Sequence, residues 1–419
     1  MAQLSDDCFA FGGPLMTLQQ AAELMAKRLR PVVEAETVGL MAAFGRVLAE
    51  DLVAPADVPP HDNSAVDGYA VHFDDLKSDA ETRLPLVEGR AAAGHAFDRA
   101  VPRGMALRIF TGAVMPGGPD TVLMQEDCAV EDGRVVIRPG IARGANRRSA
   151  GEDVKQGAVV LARGTRLRAQ DVGMVATVGR AKVSVYRPLR VALFSTGDEL
   201  RDPGTALPRG AIYDSNRYTL AALLAGLGCQ IDDLGILADR ADAVTAALGN
   251  AARDHDLIVT SGGVSVGEED HVKAAVESLG SLHVWRLAIK PGRPAALGQV
   301  GRTPFLGLPG NPVAVMVTFY GLARRLIQTL SGAVPDQPRR FPVRAGFAHR
   351  KKAERREFLR ARLERGADGA LVAQRFQRDG AGILSSMVES EGLVELPEDL
   401  TRLEVGNIVD YLPFSEVQR

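Results

Sequence analysis

Cysteine is scarce in this chain: three in 419 residues, Cys8, Cys128 and Cys229, with neither a CxxC pair nor a Cys/His spacing. A disulfide framework and a zinc site are both excluded as organising principles. Long apolar runs are missing too. The longest, residues 220–229 and 313–323, fall short of the roughly 20 needed to span a bilayer and read as buried helices. Residues 1–13 carry Asp6 and Asp7 and lack the basic start and apolar core of a signal peptide, so the expected location is the cytoplasm. Neither sign of charge dominates: a formal net charge of -2 gives no general reason to bind nucleic acid or an anionic membrane, and any anion site has to be built locally. There is no internal repeat, no low-complexity tract and no P-loop.

What is present is ordinary globular material, 46% hydrophobic and 24% charged, too long for one compact core. Leu18, Ala21, Ala22, Leu24, Met25 and Leu29 make an amphipathic helix with Thr17 as its N-cap, ending before Pro31. Residues 55–148 are rich in proline and glycine, with short apolar runs at 83–87 and 105–110, the pattern of a small β domain. Strand-like runs at 158–162 and 181–186 around a helical stretch at 169–178 then return to the first domain. From 189 to about 330, strands at 190–194, 231–236, 256–260 and 305–308 alternate with helices at 215–227, 241–252, 271–279 and 311–330, which predicts an open, mostly parallel, doubly wound α/β sheet. After Pro335 and Pro338 the alternation gives way to β segments at 341–345, 358–363, 371–373 and 407–411, the pattern of a β-barrel-like domain. The expected fold is therefore multi-domain α/β plus β. A discontinuous N-terminal domain (15–54 and 149–186) carries an inserted β domain (55–148), followed by the α/β domain (187–334) and the barrel-like domain (335–419).

In doubly wound sheets ligands bind beyond the carboxyl ends of the strands, and here those loops are polar and glycine-rich. The first strand runs into Ser195-Thr196-Gly197-Asp198-Glu199, where adjacent carboxylates suit a cation, although an N-capped turn with solvated acids has the same composition. The third enters Ser261-Gly262-Gly263-Val264-Ser265-Val266-Gly267 and then Glu268-Glu269-Asp270. Backbone N–H groups converging there suit an anion. Carboxylates beside a phosphate repel it unless a divalent cation bridges them, so the loop implies Mg²⁺; a glycine turn followed by acids on a helix dipole is the structural alternative. Arg286, Lys290 and Arg293 alternate with apolar residues up to a Pro-Gly-x-Pro turn, a pattern for a tetrahedral oxyanion or for a charged edge strand. Pro309-Gly310-Asn311-Pro312 opens the last helix of the α/β region, with Asn311 in the N-cap position and Pro312 at its first turn. Upstream, residues 61–70 concentrate Asp62, Asn63, Ser64 and Asp67 before Gly68, a composition that also fits a plain Asp-Gly turn.

Together these segments resemble the molybdopterin molybdenumtransferases, the family that includes the C-terminal domain of gephyrin, over about residues 15–412. The resemblance is carried, in the family's order, by residues 62–70, 109–113, 147–153, 194–200, 213–216, 261–270, 287–294 and 307–313. It implies an elongated homodimer whose active site lies between the α/β domain of one subunit and the inserted and C-terminal regions of the other. The implied reaction converts adenylylated molybdopterin and molybdate into molybdenum cofactor and AMP, with Mg²⁺ required; the adenylyltransferase that supplies the substrate is a candidate partner.

By position in the family, Asp67, Thr111, Glu152, Asp153, Glu199, Asp239 and Asp270 match functionally important polar residues. Lys290, Arg293 and Arg360 fall where the family handles anions, and the strand-end residues Ser261, Gly262, Gly263, Ser265, Gly267, Pro309, Gly310 and Asn311 would bind substrate. Glu199 and Asp270 are the expected Mg²⁺ ligands, Asp67 would orient substrate or water, and Lys290 and Arg360 would hold molybdate. Three positions depart from the family pattern: Arg286 replaces a common lysine, while Ala314 and Ala381 replace frequent serines, leaving Ser385 or Ser386 to compensate. A pterin adenylyltransferase and a non-catalytic scaffold of the same fold are the competing readings. ATP dependence would mark the first, and a dimer that binds neither pterin nor Mg²⁺ the second.

Overall fold

The computed structural model describes residues 15–263, 271–292 and 294–418. Its first helix, Leu18–Arg28, begins at a capping box. The Thr17 hydroxyl accepts from the Gln20 N–H at 3.1 Å, and the Gln20 side chain accepts from the Thr17 N–H at 2.9 Å. These reciprocal bonds satisfy donors that a helix start otherwise leaves unpaired. Ala21, Met25 and Leu29 are buried in the main core, which the helix shares with the last helix of the α/β region.

The N-terminal part is made of short antiparallel pairings. Ala35–Gly39, Lys182–Tyr186 and Val47–Leu48 form one sheet, and Leu52–Val53 pairs with Val159–Leu161. Between these flanks the chain builds a six-stranded sheet in the order Thr121–Met124, Gly68–Val71, Ala106–Ile109, Thr82–Ala91, Arg134–Ile137, Cys128–Glu131.

The central sheet runs Gln230–Leu237, Arg190–Thr196, Leu257–Ser261, Thr303–Leu308, Pro294–Val300, Gly280–Arg286. Its first four strands are parallel; Pro294–Val300 runs the opposite way, and Gly280–Arg286, antiparallel to it, again runs with the first four. The inner strands are buried along their length because helices cover both faces. Side-chain alternation sorts them. Val191, Leu193, Leu257, Val259 and Leu306 face Leu220, Leu224, Val313 and Val317, whereas Ala192, Phe194, Ile258 and Phe305 face Val244, Leu248, Val272 and Val276. The mostly parallel, doubly wound expectation holds for the core of the sheet. The antiparallel edge was not expected from the sequence and arises because Gly301 and Arg302 turn the chain straight back between the strands ending at Val300 and starting at Thr303. The last helix is one rod in three parts: Pro312–Thr318, a π turn over Phe319–Ala323, and Arg324–Leu330.

The C-terminal strands close on themselves. Arg356–Arg365 pairs with Leu371–Arg375, that with Phe341–Ala345, then Ile408–Pro413, then Gly392–Leu396, which returns to Arg356–Arg365. This five-stranded barrel is filled by Val343, Leu359, Ala361, Val394, Leu396, Val409 and Tyr411. The short strand Ile289–Lys290 adds in parallel to its rim, aligning Lys290 with Glu357 and joining barrel to α/β sheet. No helix among the described residues is long and apolar enough to cross a membrane.

Candidate functional site

The parallel strands end together at Thr196, Leu237, Ser261 and Leu308, and the loops that leave those four ends make the site. The Ser261 hydroxyl donates to the Pro309 carbonyl at 3.1 Å, and the Gly262 N–H donates to the Leu308 carbonyl at 3.1 Å. Asn216, in the first turn of the helix Asn216–Gly226, bridges the two loops: its Nδ2 donates to Ser261 Oγ at 2.9 Å and to the Gly310 carbonyl at 2.6 Å. Gly263 has φ +63°, and a Cβ there would sit 2.7 Å from Val272 Cγ2 and 2.8 Å from Thr196 Cγ2, so only glycine lets the loop lie on the strand end. Asn311 occupies the N-cap position with Pro312 following, but its side chain makes no capping bond.

Buried polar atoms without partners gather here. Ser195 Oγ, Thr260 Oγ1, Asn216 Oδ1 and Thr318 Oγ1 have no hydrogen bond among the described residues. Such orphans are costly unless a ligand or water completes them, and three of the four, Ser195, Thr260 and Asn216, lie at the strand ends, where a polar ligand would complete them. Thr318 also fixes the loop after Lys290: Gly292, at φ +99°, packs so closely that a Cβ would lie 2.5 Å from Thr318 Oγ1.

The acidic rim is open. Thr196 Oγ1 donates to Asp239 at 3.4 Å. The exposed Glu199 carboxylate folds back over Gly197, with Oε2 2.6 Å from where a Gly197 Cβ would stand, and makes no ion pair among the described residues. Ser265, Gly267, Asp270 and Arg293 lie outside the described residues. Among the described residues no group of three or more His, Cys, Asp or Glu side chains is arranged to hold a metal.

Arg360 and Lys290 approach this edge from the barrel side. Arg360 is 6% exposed; its Nε donates to Ser386 Oγ at 3.1 Å, and one terminal nitrogen reaches the Arg378 and Gly380 carbonyls at 3.3 and 3.4 Å. Burial lowers its pKa, against which Asp379 pulls upward. It is therefore Ser386, not Ser385, that stands beside the arginine. The Val313 N–H donates to the Ala381 carbonyl at 2.9 Å, tying the start of the last α/β helix to the same barrel loop. The C-terminal region thus meets the α/β domain of its own chain, through the strand Ile289–Lys290 added to the barrel rim.

Asp67 and Thr111 form a separate group on the N-terminal sheet. Asp67 Oδ1 accepts from the Thr111 N–H at 2.8 Å and its hydroxyl at 2.7 Å, and those two bonds hold its pKa below the usual carboxylate value. Nearby, Asp62 bonds Arg147 at 2.5 Å and the Ala150 N–H at 2.8 Å, and Glu152 accepts from the Ser149 N–H at 3.2 Å. The exposed Asp153 is fixed only through its backbone, which donates to the Val58 carbonyl at 3.0 Å. Among the described residues, the hydrogen bonds of Asp67, Glu152 and Asp153 all stay within residues 58–153.

Comparison with known proteins bears on the whole chain. Residues 16–179 match the MoeA N-terminal region (domain I and II), residues 192–329 a probable molybdopterin binding domain, and residues 342–414 the MoeA C-terminal region (domain IV). The chain is 38% identical over 405 residues to the molybdopterin molybdenumtransferase of Haemophilus influenzae, covering 96% of this chain and 100% of that protein. It is 34% identical to molybdopterin molybdenumtransferase 2 of Mycobacterium tuberculosis, covering 93% and 96%. A crystal structure of the molybdopterin biosynthesis moeA protein from Pyrococcus horikoshii superposes with a TM-score of 0.81 at 30% identity, covering 95% of this chain and all of that one.

Proposed function

The chain belongs to the MoeA family of molybdopterin molybdenumtransferases, and from that premise we propose that it transfers molybdenum from molybdate to adenylylated molybdopterin, releasing AMP. The observation that carries this is one juxtaposition. A glycine-lined cradle bridged by Asn216 and rimmed by orphaned hydroxyls adjoins a buried Arg360–Ser386 pair and the half-exposed Lys290. The cradle suits the polar, phosphorylated pterin, and the two cations suit a tetrahedral dianion.

The residues present fit Mg²⁺. Among the described residues Glu199 offers an exposed carboxylate that makes no ion pair, and oxygen donors are what a hard dication takes. Glu199 and Asp270 would hold it, where it would offset the charge of the pyrophosphate linkage. Ser261, Gly262, Gly263 and Gly310 would position the substrate, with Ser265, Gly267 and Asn311 completing the cradle and Arg293 adding a cation. Asp67, Thr111, Glu152 and Asp153 would enter from the second subunit of a homodimer; among the described residues, the strand ends make no hydrogen bond to them. The adenylyltransferase that makes the substrate is the expected partner, and the cytoplasm the expected location for both.

The test is transfer itself. Incubation with adenylylated molybdopterin and molybdate should give a product that activates a molybdoenzyme lacking its cofactor. Activation that appears only when ATP is added would replace this reading with the adenylyltransferase one.

A further inference from the structure

Lys290 ends in solvent, with 58% of its side chain exposed, yet its ammonium is not loose: Nζ donates to Glu357 Oε1 at 3.2 Å. Glu357 is 4% exposed and has nowhere else to turn. Its second oxygen accepts from His349 Nε2 at 2.9 Å. The other ring nitrogen, Nδ1, faces Arg375 at 3.1 Å. A guanidinium only donates, so Nδ1 accepts and the Nε2 proton points at Glu357. Both Glu357 oxygens therefore accept, one from the ring and one from the Lys290 ammonium, with Lys351 a second positive charge nearby.

The chain of contacts continues. Arg375 pairs with Asp379, whose neighbours in sequence supply the carbonyls that hold Arg360. Asp379 is kept below the usual carboxylate range first by its bond to Arg375, with the charges of Arg360 and Lys290 adding to it. The two cations assigned to the oxyanion thus flank one acid and hang on one network. A buried carboxylate is expensive, and a surface lysine gains little stability from an ion pair, so stability alone does not account for this arrangement.

We propose that Glu357, oriented by His349 and Arg375, is a positioning residue that fixes the Lys290 ammonium at the oxyanion site. The inference rests on the molybdate-binding role given to Lys290 above. It makes a specific demand of Glu357→Gln. Both partners of Glu357 are donors, and an amide offers one acceptor and one donor, so one partner must be lost. The ring cannot change tautomer while Arg375 faces Nδ1, and the solvent-exposed lysine is the partner released.

Two readouts on the full-length protein test this. In steady-state turnover, Glu357→Gln should raise the molybdate KM about tenfold, in the middle of the range for residues in one hydrogen-bonded network. The loss should fall on that KM rather than on kcat or the pterin KM, and adding Glu357→Gln to Lys290→Ala should cost nothing further. In competitive acetylation with acetic anhydride, with exposed Lys182 as the internal reference, Lys290 should label faster in Glu357→Gln than in the wild type. His349→Leu, which removes the donor to Glu357 Oε2 altogether, is the second variant should the first not fold, and should shift labelling the same way. Unchanged Lys290 labelling in the folded variants, or additive losses in the double variant, would overturn the proposal. A wild type that labels as expected but releases no AMP contradicts the proposed reaction and leaves the positioning role standing.

Discussion

Replacing Asn216 by alanine isolates the clamp that holds the strand-end loops together. The side chain contributes two hydrogen bonds, to Ser261 Oγ and to the Gly310 carbonyl, and reaches both because it starts the helix that packs beside the two strands. At about 0.5–1.5 kcal/mol for each bond, their loss destabilises the α/β unit by about 2 kcal/mol. For a unit of about 150 residues that lowers the unfolding midpoint by roughly 4–8 °C. Asn216→Asp should be at least as damaging, because a carboxylate oxygen then faces the Gly310 carbonyl with no proton between them. Scanning calorimetry measures the first effect, and the pterin KM measures the second, since loops no longer tied to each other have to be ordered by the ligand. A variant that kept both its midpoint and its pterin KM would refute the view that Asn216 shapes the site.

Three other substitutions probe separate parts of the account. Gly263→Ala forces a Cβ to within 3 Å of Val272 and Thr196 at a positive φ, and should cost about 1–3 kcal/mol in denaturant unfolding, with weakened substrate binding. Arg360→Lys removes the fork that spans Ser386 and the 378–380 carbonyls, and should raise the molybdate KM about tenfold in turnover assays with little change in the pterin KM. Asp256 is a structural control. Burial would raise its pKa, but bonds from Arg187 and the Arg190 N–H overcome that and hold it below the usual carboxylate value. A folded pKa below the unfolded one gives stability that is complete above about pH 4 and is lost as pH falls through the folded value. Asp256→Asn should therefore destabilise at pH 7 by about 1–3 kcal/mol and flatten the acid limb of stability against pH, read by urea unfolding between pH 3 and pH 7.

Much of this was legible in the sequence because the signals were local. The Thr17 N-cap, the apolar strands read at 190–194 and 256–260, and the β segments read at 341–345 and 371–373 follow from spacing and composition alone. The antiparallel edge was hidden because Pro294–Val300 is mostly small residues and glycine, with no alternation to see, while the charges around Lys290 drew attention away from Gly280–Arg286. Gly392–Leu396 was missed because a five-residue apolar run with no polar alternation gives no period. At the site, Ser261, Gly262 and Pro309 were readable as strand-end loops, but the job of Asn216 was not. Its partners are 45 and 94 positions away, so although residues 213–216 were among the segments that carry the family resemblance, nothing local showed what the amide holds. Glu357 and His349 left no signal at all, since only the parallel register of Lys290 with Glu357 brings them to the site.

Purified protein given adenylylated molybdopterin and Mg²⁺ under anaerobic conditions, with no ATP, should release AMP when molybdate is present and little when it is absent. AMP release that ignores molybdate, or none at all from a protein that still binds the pterin, would contradict the molybdenum-transfer account.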